Sequence, residues 1–311
     1  MDEVLAHIPA ADAQRLRGVT AVRTATQITR LGGGITNRNY HVVGPTGEAV
    51  VRLSDPDTSD LAIDREHEYL NSVAAHASGA APAVLEYHRG AGVLVVRWVA
   101  GRTFGPGDVR DAANLPRIAE VCRRLHSGPA FTNRFDMFAV QERYLTLVTT
   151  RGYRLPDDYL DHLPKVAQIR AALAAHPEPL VPCNNDLLAE NIIDTGDQLW
   201  LIDYEYSGAN EASFEIGNIW SESTLPLDLL EPLVTSYWGR PDPAKVARAR
   251  LWALMSKYGW TLWASIQDGQ STIDFDYWSW GMEKYERAVA EFASPQFPAV
   301  LDNAAAAENF R

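Results

Sequence analysis

Short, partly β-branched segments crowd the first hundred residues, and helical spacing dominates almost everything after them. This division constrains the fold more than any other feature. Ala25 to Arg30, Tyr40 to Val43 and Ala49 to Leu53 are separated by the turn signals Gly32-Gly33-Gly34 and Gly44-Pro45-Thr46-Gly47, a pattern that predicts an antiparallel meander. Ala83 to His88 and Gly92 to Val99 read as two further strands. Residues 1–20 read as one helix on the spacing of Val4, Leu5, Ile8, Leu16 and Val19. Asp60 to Ala77 read as another, charged early and apolar at Leu70, Val73, Ala74 and Ala77. From Val109 onward the spacing is helical, interrupted by one strand-and-loop block at Leu180 to Tyr206. The expected fold class is therefore α+β in two lobes: a small antiparallel β-sheet lobe over residues 1–99 and a large helical lobe over residues 100–311, joined near Val99-Ala100-Gly101-Arg102. At 311 residues the chain exceeds what a single core usually fills, and ligands commonly bind between lobes.

Charge and composition exclude several classes. A formal charge of -12 argues against a nucleic-acid binder held by its net field, though not against a local basic cleft for a small anion. Hydrophobic residues make up 46% of the chain, too many for a disordered one. Cys122 and Cys183 are the only cysteines, so no disulfide framework or CxxC motif is implied, and a reducing cytoplasm fits. Met1 to Ala13 lacks the basic start and apolar run of a signal peptide, and no apolar stretch is long enough to span a membrane. No HExxH or clustered Cys/His pattern occurs among the eight histidines. His126 is expected to cap or brace a helix end.

The block that carries chemistry is Val181-Pro182-Cys183-Asn184-Asn185-Asp186-Leu187-Leu188-Ala189-Glu190-Asn191, followed by Leu201-Ile202-Asp203-Tyr204-Glu205-Tyr206. Asp186 and Asn191 are separated by four residues on one loop. A hairpin turning at Thr195-Gly196-Asp197 would bring Asn191 beside Asp203. A lone Asp is usually a turn residue; this joint spacing is far more specific. Phosphoryl transfer needs one carboxylate near the acceptor hydroxyl, and a carboxylate plus an amide oxygen to hold Mg²⁺ against the phosphates.

"NNDLLAEN…LIDYEY" resembles the catalytic and metal loops of the protein-kinase-like small-molecule kinases. It is most similar to the choline/ethanolamine kinase family, whose loop reads HND-x4-N and whose metal block reads IDFEY or IDYEY. The resemblance runs from about residue 25 to 290. It implies a protein-kinase-like two-lobed fold, ATP and Mg²⁺ as requirements, Asp186 as catalytic residue, and Asn191 and Asp203 as catalytic metal ligands. The family His of the loop is Asn184 here. Because that His mainly braces the loop, a rebuilt brace is expected, with Asn184 supplying amide hydrogen bonds.

On the nucleotide side, "GGGITNRNY" resembles the family's "GG(I/L)TN…(Y/F)" stretch, which implies phosphate contact by Gly33, Gly34, Thr36 and Asn37. Glycines let a backbone approach phosphates closely. No Gly-Lys pair occurs, so this is not a Walker A loop. The first lysine of the chain is Lys165, so the β-rich part contains none, and Arg52 in Val50-Val51-Arg52-Leu53 is the expected phosphate anchor. Ile63-Asp64-Arg65-Glu66-His67-Glu68 resembles the family's "IDR…E…N" helix, and Glu68 is the expected partner of Arg52, with Glu66 second. Adenine is expected against the backbone from Arg97 to Val99.

Eight of the nine tryptophans follow residue 199. Aromatics at helical spacing usually fill cores, yet several beside an acidic cleft also make a cage for ammonium groups. "YGWTLWASIQ" resembles the family's "W-x-L-W-x-x-x-Q" segment, which carries the choline-pocket role over to Trp260 and Trp263. Tyr277 and Trp280 match the downstream aromatic pair. Glu222 falls on a family acidic position, and Asp186 and Glu205 complete the expected acceptor side. Thr224 to Leu227 lack the family's aromatics.

Three expectations follow. The leading one is an ATP- and Mg²⁺-dependent kinase of a small amino alcohol, choline or ethanolamine, with no nucleic-acid partner and no membrane insertion. An aminoglycoside or other natural-product phosphotransferase is the second. A catalytically weak nucleotide- or ligand-binding module, suggested by Asn184, is the third.

Overall fold

The computed structural model describes residues 2–32, 36–54 and 58–306. Two short helices, α1 (Asp2–Leu5) and α2 (Ala10–Leu16), stand where the spacing had predicted one over residues 1–20, and a third, α3 (Thr20–Arg23), follows. Pro9 explains the break: it lacks an N–H and pushes the preceding residue out of helical backbone. Asp12 of α2 clamps this segment to the sheet, accepting from the Tyr40 hydroxyl at 2.6 Å and from Arg38 Nε at 2.9 Å.

Five strands follow: β1 (Gln27–Leu31), β2 (Arg38–Gly44), β3 (Gly47–Leu53), β4 (Val84–His88) and β5 (Val93–Arg97). Their order is β1-β2-β3-β5-β4, with antiparallel pairs throughout. The first three strands form the predicted meander. The last hairpin then adds with β5 inside, so Arg52 on β3 pairs with Leu94. Between β3 and β4 runs α4 (Arg65–Ala77), shorter than the sequence pattern suggested. Ala62 holds a left-handed backbone at φ 57°, which a continuous helix cannot contain, and Asp64 caps the helix by accepting from the N–H of Glu66 and His67.

The rest is mainly helical. In chain order it comprises β6 (Arg102–Thr103), α5 (Pro106–Arg110), α6 (Leu115–His126), α7 (Met137–Arg151), α8 (Leu163–Ala175), β7 (Leu180–Cys183), β8 (Ile192–Asp194), β9 (Leu199–Leu201), β10 (Gly208–Glu211), α9 (Ala212–Glu222), α10 (Leu230–Trp238), α11 (Pro243–Gln270), α12 (Tyr277–Phe292) and α13 (Phe297–Ala304). Among the described residues, no helix is long and apolar enough to cross a membrane. Gly101 sits where β8 crosses the connection between the two parts; a Cβ there would lie 2.6 Å from the Asp194 carbonyl oxygen.

Helix α11 is buried along most of its 28 residues and serves as the axis of the helical part. It meets α9 so closely that a Cβ on Gly217 would stand 2.1 Å from the Ala249 carbonyl oxygen. That atom is backbone and cannot swing aside. Gly217→Ala is therefore expected to cost about 3 kcal/mol or more, read as a lowered urea midpoint. An unchanged midpoint would show that the helices can part without loss.

Candidate active site

The site is assembled from one loop, one hairpin and the cleft beside them. Strands β8 and β9 pair antiparallel, and Ile202 N–H donates to the Asn191 carbonyl at 3.0 Å. The hairpin thus brings Asn191 and Asp203 to one edge of a cleft of about 410 Å³. Arg52, Glu68, Arg97 and Val99 line the same cleft, together with apolar Val50, Leu94, Val96, Ile193 and Ile202. Gly33 and Gly34 lie outside the described residues. Thr36 is half-buried just before β2.

The loop itself is rigidly braced. Asn184, fully buried, donates from Nδ2 to the carbonyls of Ile202 (3.1 Å) and Asp203 (2.9 Å), and its Oδ1 accepts from Asp186 N–H at 3.1 Å. One amide therefore ties the Asp186 loop to the Asp203 turn. Asn185 holds a left-handed backbone, φ 67°, which Asn tolerates; its Nδ2 donates to the Tyr206 carbonyl at 3.1 Å. Beneath lies Glu215 of α9, whose two carboxylate oxygens accept from the N–H groups of Asn184 and Asn185, each at 2.8 Å. Asn218 accepts from Leu187 N–H at 2.8 Å. Sequence reasoning missed Glu215 and Asn218. Their signal was an acidic and an amide residue inside an otherwise apolar helix, where a polar group must find a partner.

His126 ends α6 and supports the same floor. Its Nε2 lies 3.6 Å from Cys183 Sγ and 3.6 Å from Glu215 Oε1, and its Nδ1 lies 2.7 Å from the Tyr237 hydroxyl. Tertiary packing thus creates a buried His–Cys–Glu group that no sequence spacing revealed.

Removing the Asn184 brace tests it. Each of its three bonds contributes about 1 kcal/mol, and two half-buried carbonyls would lose a donor. Asn184→Ala should lower stability by about 2–4 kcal/mol and lower kcat about tenfold or more, with a smaller change in KM for the nucleotide. A variant with normal kcat would show that the loop keeps its geometry without the amide.

Charges across the cleft are paired in a way the sequence half revealed. Arg52 forms the expected ion pair with Glu68 and also donates to Asp203 Oδ1 at 2.9 Å. Glu66 instead faces the surface, 3.6 Å from Arg89. Arg65, not foreseen as a site residue, links Glu68 (2.8 Å) and Glu205 (3.1 Å). Asn37 donates to Glu205 at 2.8 Å. Glu205 was expected on the acceptor side; its Oε2 is held by Arg65 of α4 and by Asn37. The left-handed backbone at Asp203, φ 60°, redirects the chain just before it.

This crowding of carboxylates leaves a shortage of positive charge. Burial and the neighbouring Glu205 raise the Asp203 carboxyl to about 6 although Arg52 and Arg65 oppose the shift, and its side chain keeps 31% of its surface open to the cleft. Asp186 is likewise held well above the usual carboxylate range by burial, then by Asp203, Glu222 and Glu205. Asn191 commits Nδ2 to the Asp186 carbonyl at 2.7 Å, which leaves Oδ1 as its free end. A carboxylate and an amide oxygen facing an acidic cleft are the hard donors that Mg²⁺ takes, so the residues present fit that ion.

The aromatics divide into two groups. Trp260 packs into the core against Tyr206 (4.8 Å) and Phe135 (6.4 Å). Trp263 meets Tyr277 edge-on at 5.8 Å and Trp280 at 5.4 Å, forming the aromatic wall that the sequence pattern anticipated for four residues together. Glu222 of α9 is paired with Lys284 of α12.

Lys257 of α11 is buried with its ammonium 5.1 Å from the Trp220 ring centre, and no ion pair reaches it among the described residues. Burial, then Arg287, lowers its pKa from 10.5 to about 8. The folded value lies below the unfolded one, so the charged form costs stability at every pH below about 8, and the cost fades as pH rises toward 10.5. The cost is about 3 kcal/mol. Lys257→Met is expected to raise Tm by several degrees at pH 7 and by much less at pH 10. A variant that melts lower than wild type at pH 7 would overturn this.

Comparison with known proteins agrees with this geometry. Residues 27–253 match the model of the phosphotransferase enzyme family. Ethanolamine kinase 2 of Mus musculus is 28% identical over 291 residues, covering 83% of this chain and 74% of that one. The crystal structure of a choline/ethanolamine kinase family protein from Mesorhizobium loti superposes with a TM-score of 0.82 at 31% identity, over 94% of this chain and 98% of that one. The choline kinase LicA of Streptococcus pneumoniae gives a TM-score of 0.76 at 22% identity, over 91% and 98% of the two chains, which shows the shared fold. With a phosphotransferase model matching most of its length and a family structure overlaying nearly all of it, this chain belongs to the choline/ethanolamine kinase family, small-molecule kinases that use an alcohol group as acceptor.

Proposed function

We propose that this protein is an ATP- and Mg²⁺-dependent kinase of a small amino alcohol, choline or ethanolamine. One observation carries the reading. Asn191 and Asp203 line the nucleotide-sized cleft, and Asn191 Nδ2 holds the Asp186 carbonyl at 2.7 Å, which puts the carboxylate meant for the acceptor hydroxyl beside the two metal-ligand candidates. The names of the related ethanolamine and choline kinases support the same acceptor class.

In this reading the apolar lining of the cleft takes adenine near Arg97 and Val99, and Arg52 faces the phosphates while Glu68 holds its guanidinium in place. Thr36 and Asn37 are assigned to phosphate contact, as are Gly33 and Gly34, which lie outside the described residues. Asn191 and Asp203 would hold Mg²⁺, which when bound neutralises charge on the phosphates. Asp186 orients the acceptor hydroxyl and receives its proton. The acceptor oxygen forms a bond to the γ-phosphorus as the bond to the β-γ bridging oxygen breaks, and ADP leaves. The raised proton affinity of Asp186 suits a group that must take and hold that proton. Trp263, Tyr277 and Trp280 wall the acceptor's ammonium end; Trp260 packs in the core against Tyr206, and Glu222 meets the wall through Lys284. Glu205 acts through Arg65 and Asn37.

The test is ADP release with Mg·ATP across choline, ethanolamine, other amino alcohols, aminoglycosides and no acceptor. Turnover that depends on choline or ethanolamine is expected. Turnover with aminoglycosides alone would move the acceptor class, and ATP binding with no turnover on any acceptor would reject the kinase reading.

A further inference from the structure

The acceptor side already contains a cation of its own. Lys284, 7% exposed at its side chain, donates from Nζ to Glu222 Oε2, and the same Nζ lies 4.2 Å from the centre of the Trp280 ring. Trp280 in turn meets Trp263 edge-on, so the ammonium rests on the face of the aromatic wall. We infer that Lys284 is a specificity-determining residue: a tethered ammonium that occupies the Trp280 face and selects primary over quaternary ammonium acceptors. The inference rests on the amino-alcohol reading above.

The chemistry follows from what each ammonium offers. A quaternary ammonium has no N–H and is held by aromatic faces and by uncompensated negative charge. Here the face carries Lys284, and Glu222, 2% exposed at its side chain, is neutralised by the same ammonium. A second cation on that ring would meet the first at close range. A primary ammonium has three donors and can use an acceptor atom directly. Glu222 Oε1 is such an atom: it is buried and has no hydrogen-bond partner among the described residues. Glu222 and Lys284 both act on the charge of Asp186, so they stand near the group that faces the hydroxyl.

The experiment measures binding rather than turnover. Choline and ethanolamine are each titrated calorimetrically into the full-length wild-type protein, Lys284→Met and Lys284→Met/Trp280→Ala. Wild type is expected to bind ethanolamine more tightly than choline. Lys284→Met should tighten choline by about tenfold or more, the size of one desolvated cation–aromatic contact, and the added Trp280→Ala should cancel that gain. If Lys284→Met does not fold because Glu222 is left unpaired, Lys284→Gln keeps a donor for Glu222 and removes the charge, with the same expectation. Unchanged or weaker choline binding in the folded variants overturns the inference, as does a gain that survives Trp280→Ala. Where wild type phosphorylates an amino alcohol but choline binding is not gained, this inference alone fails. Where neither wild type nor variant binds or turns over either amine, the amino-alcohol reading fails and takes this one with it.

Discussion

Replacing Asp186 with Asn is expected to lower kcat by about 10²–10⁴-fold, the usual range for a positioned proton acceptor, while leaving nucleotide binding close to wild type. The substitution keeps the size and planarity of the side chain. Asn184 Oδ1 holds the backbone N–H of residue 186, and Asn191 Nδ2 holds its carbonyl, so neither anchor depends on the carboxylate. What changes is proton affinity. Burial, Asp203, Glu222 and Glu205 raise that of Asp186 well above the usual carboxylate range, and an amide cannot take the proton at all. Steady-state ADP release, with nucleotide affinity measured separately by calorimetry, gives the answer. A variant that keeps more than about a tenth of wild-type kcat would remove Asp186 from the role of proton acceptor.

Asp203→Asn is expected to abolish turnover and to erase most of the thermal stabilisation by Mg·ATP. A ligand present at a hundred times its Kd stabilises a protein by about 2.7 kcal/mol, so the lost gain is several degrees of Tm. Asn is preferred to Ala because Asp203 sits at φ 60°, a left-handed backbone that Asn tolerates. The apo protein should change little. The carboxylate is paired with Arg52 but opposed by Glu205, which with burial raises it to about 6, so the charge that is lost had both a partner and an opponent. The decisive comparison is the Tm shift with ATP alone against ATP plus Mg²⁺, in wild type and variant. An Asp203→Asn protein that keeps the full Mg²⁺-dependent increment would refute metal binding at this residue.

Local geometry was legible wherever the chain turns back on itself quickly. Asn191 and Asp203 were expected side by side because a short hairpin joins β8 to β9, and that is where they stand. Asn184 was expected to brace the loop, and its three hydrogen bonds all reach residues that the same motif contains. The Arg52–Glu68 pair was expected from two short stretches, β3 and α4, and is present. The resemblance assigned Trp260 and Trp263 together to the choline pocket. Three residues advance about 60° short of a full turn, enough for the two rings to meet different neighbours. Trp260 entered the core with Tyr206 and Phe135, and Trp263 joined Tyr277 and Trp280.

By itself the sequence determined the two-part α+β organisation, the spacing of Asp186, Asn191 and Asp203, and the concentration of tryptophan late in the chain. Each depends on periodicity or on contacts a few residues apart, which covalent geometry dictates. Only the tertiary structure decided which charge neutralises which. Glu205 went to Arg65 and Asn37, Glu215 took the N–H groups of the Asp186 loop, and Lys284 joined Glu222 from 62 residues away. Electrostatic and hydrogen-bond energies fall off within a few ångströms, so these pairings depend on where whole helices pack, and no local pattern in the chain encodes that.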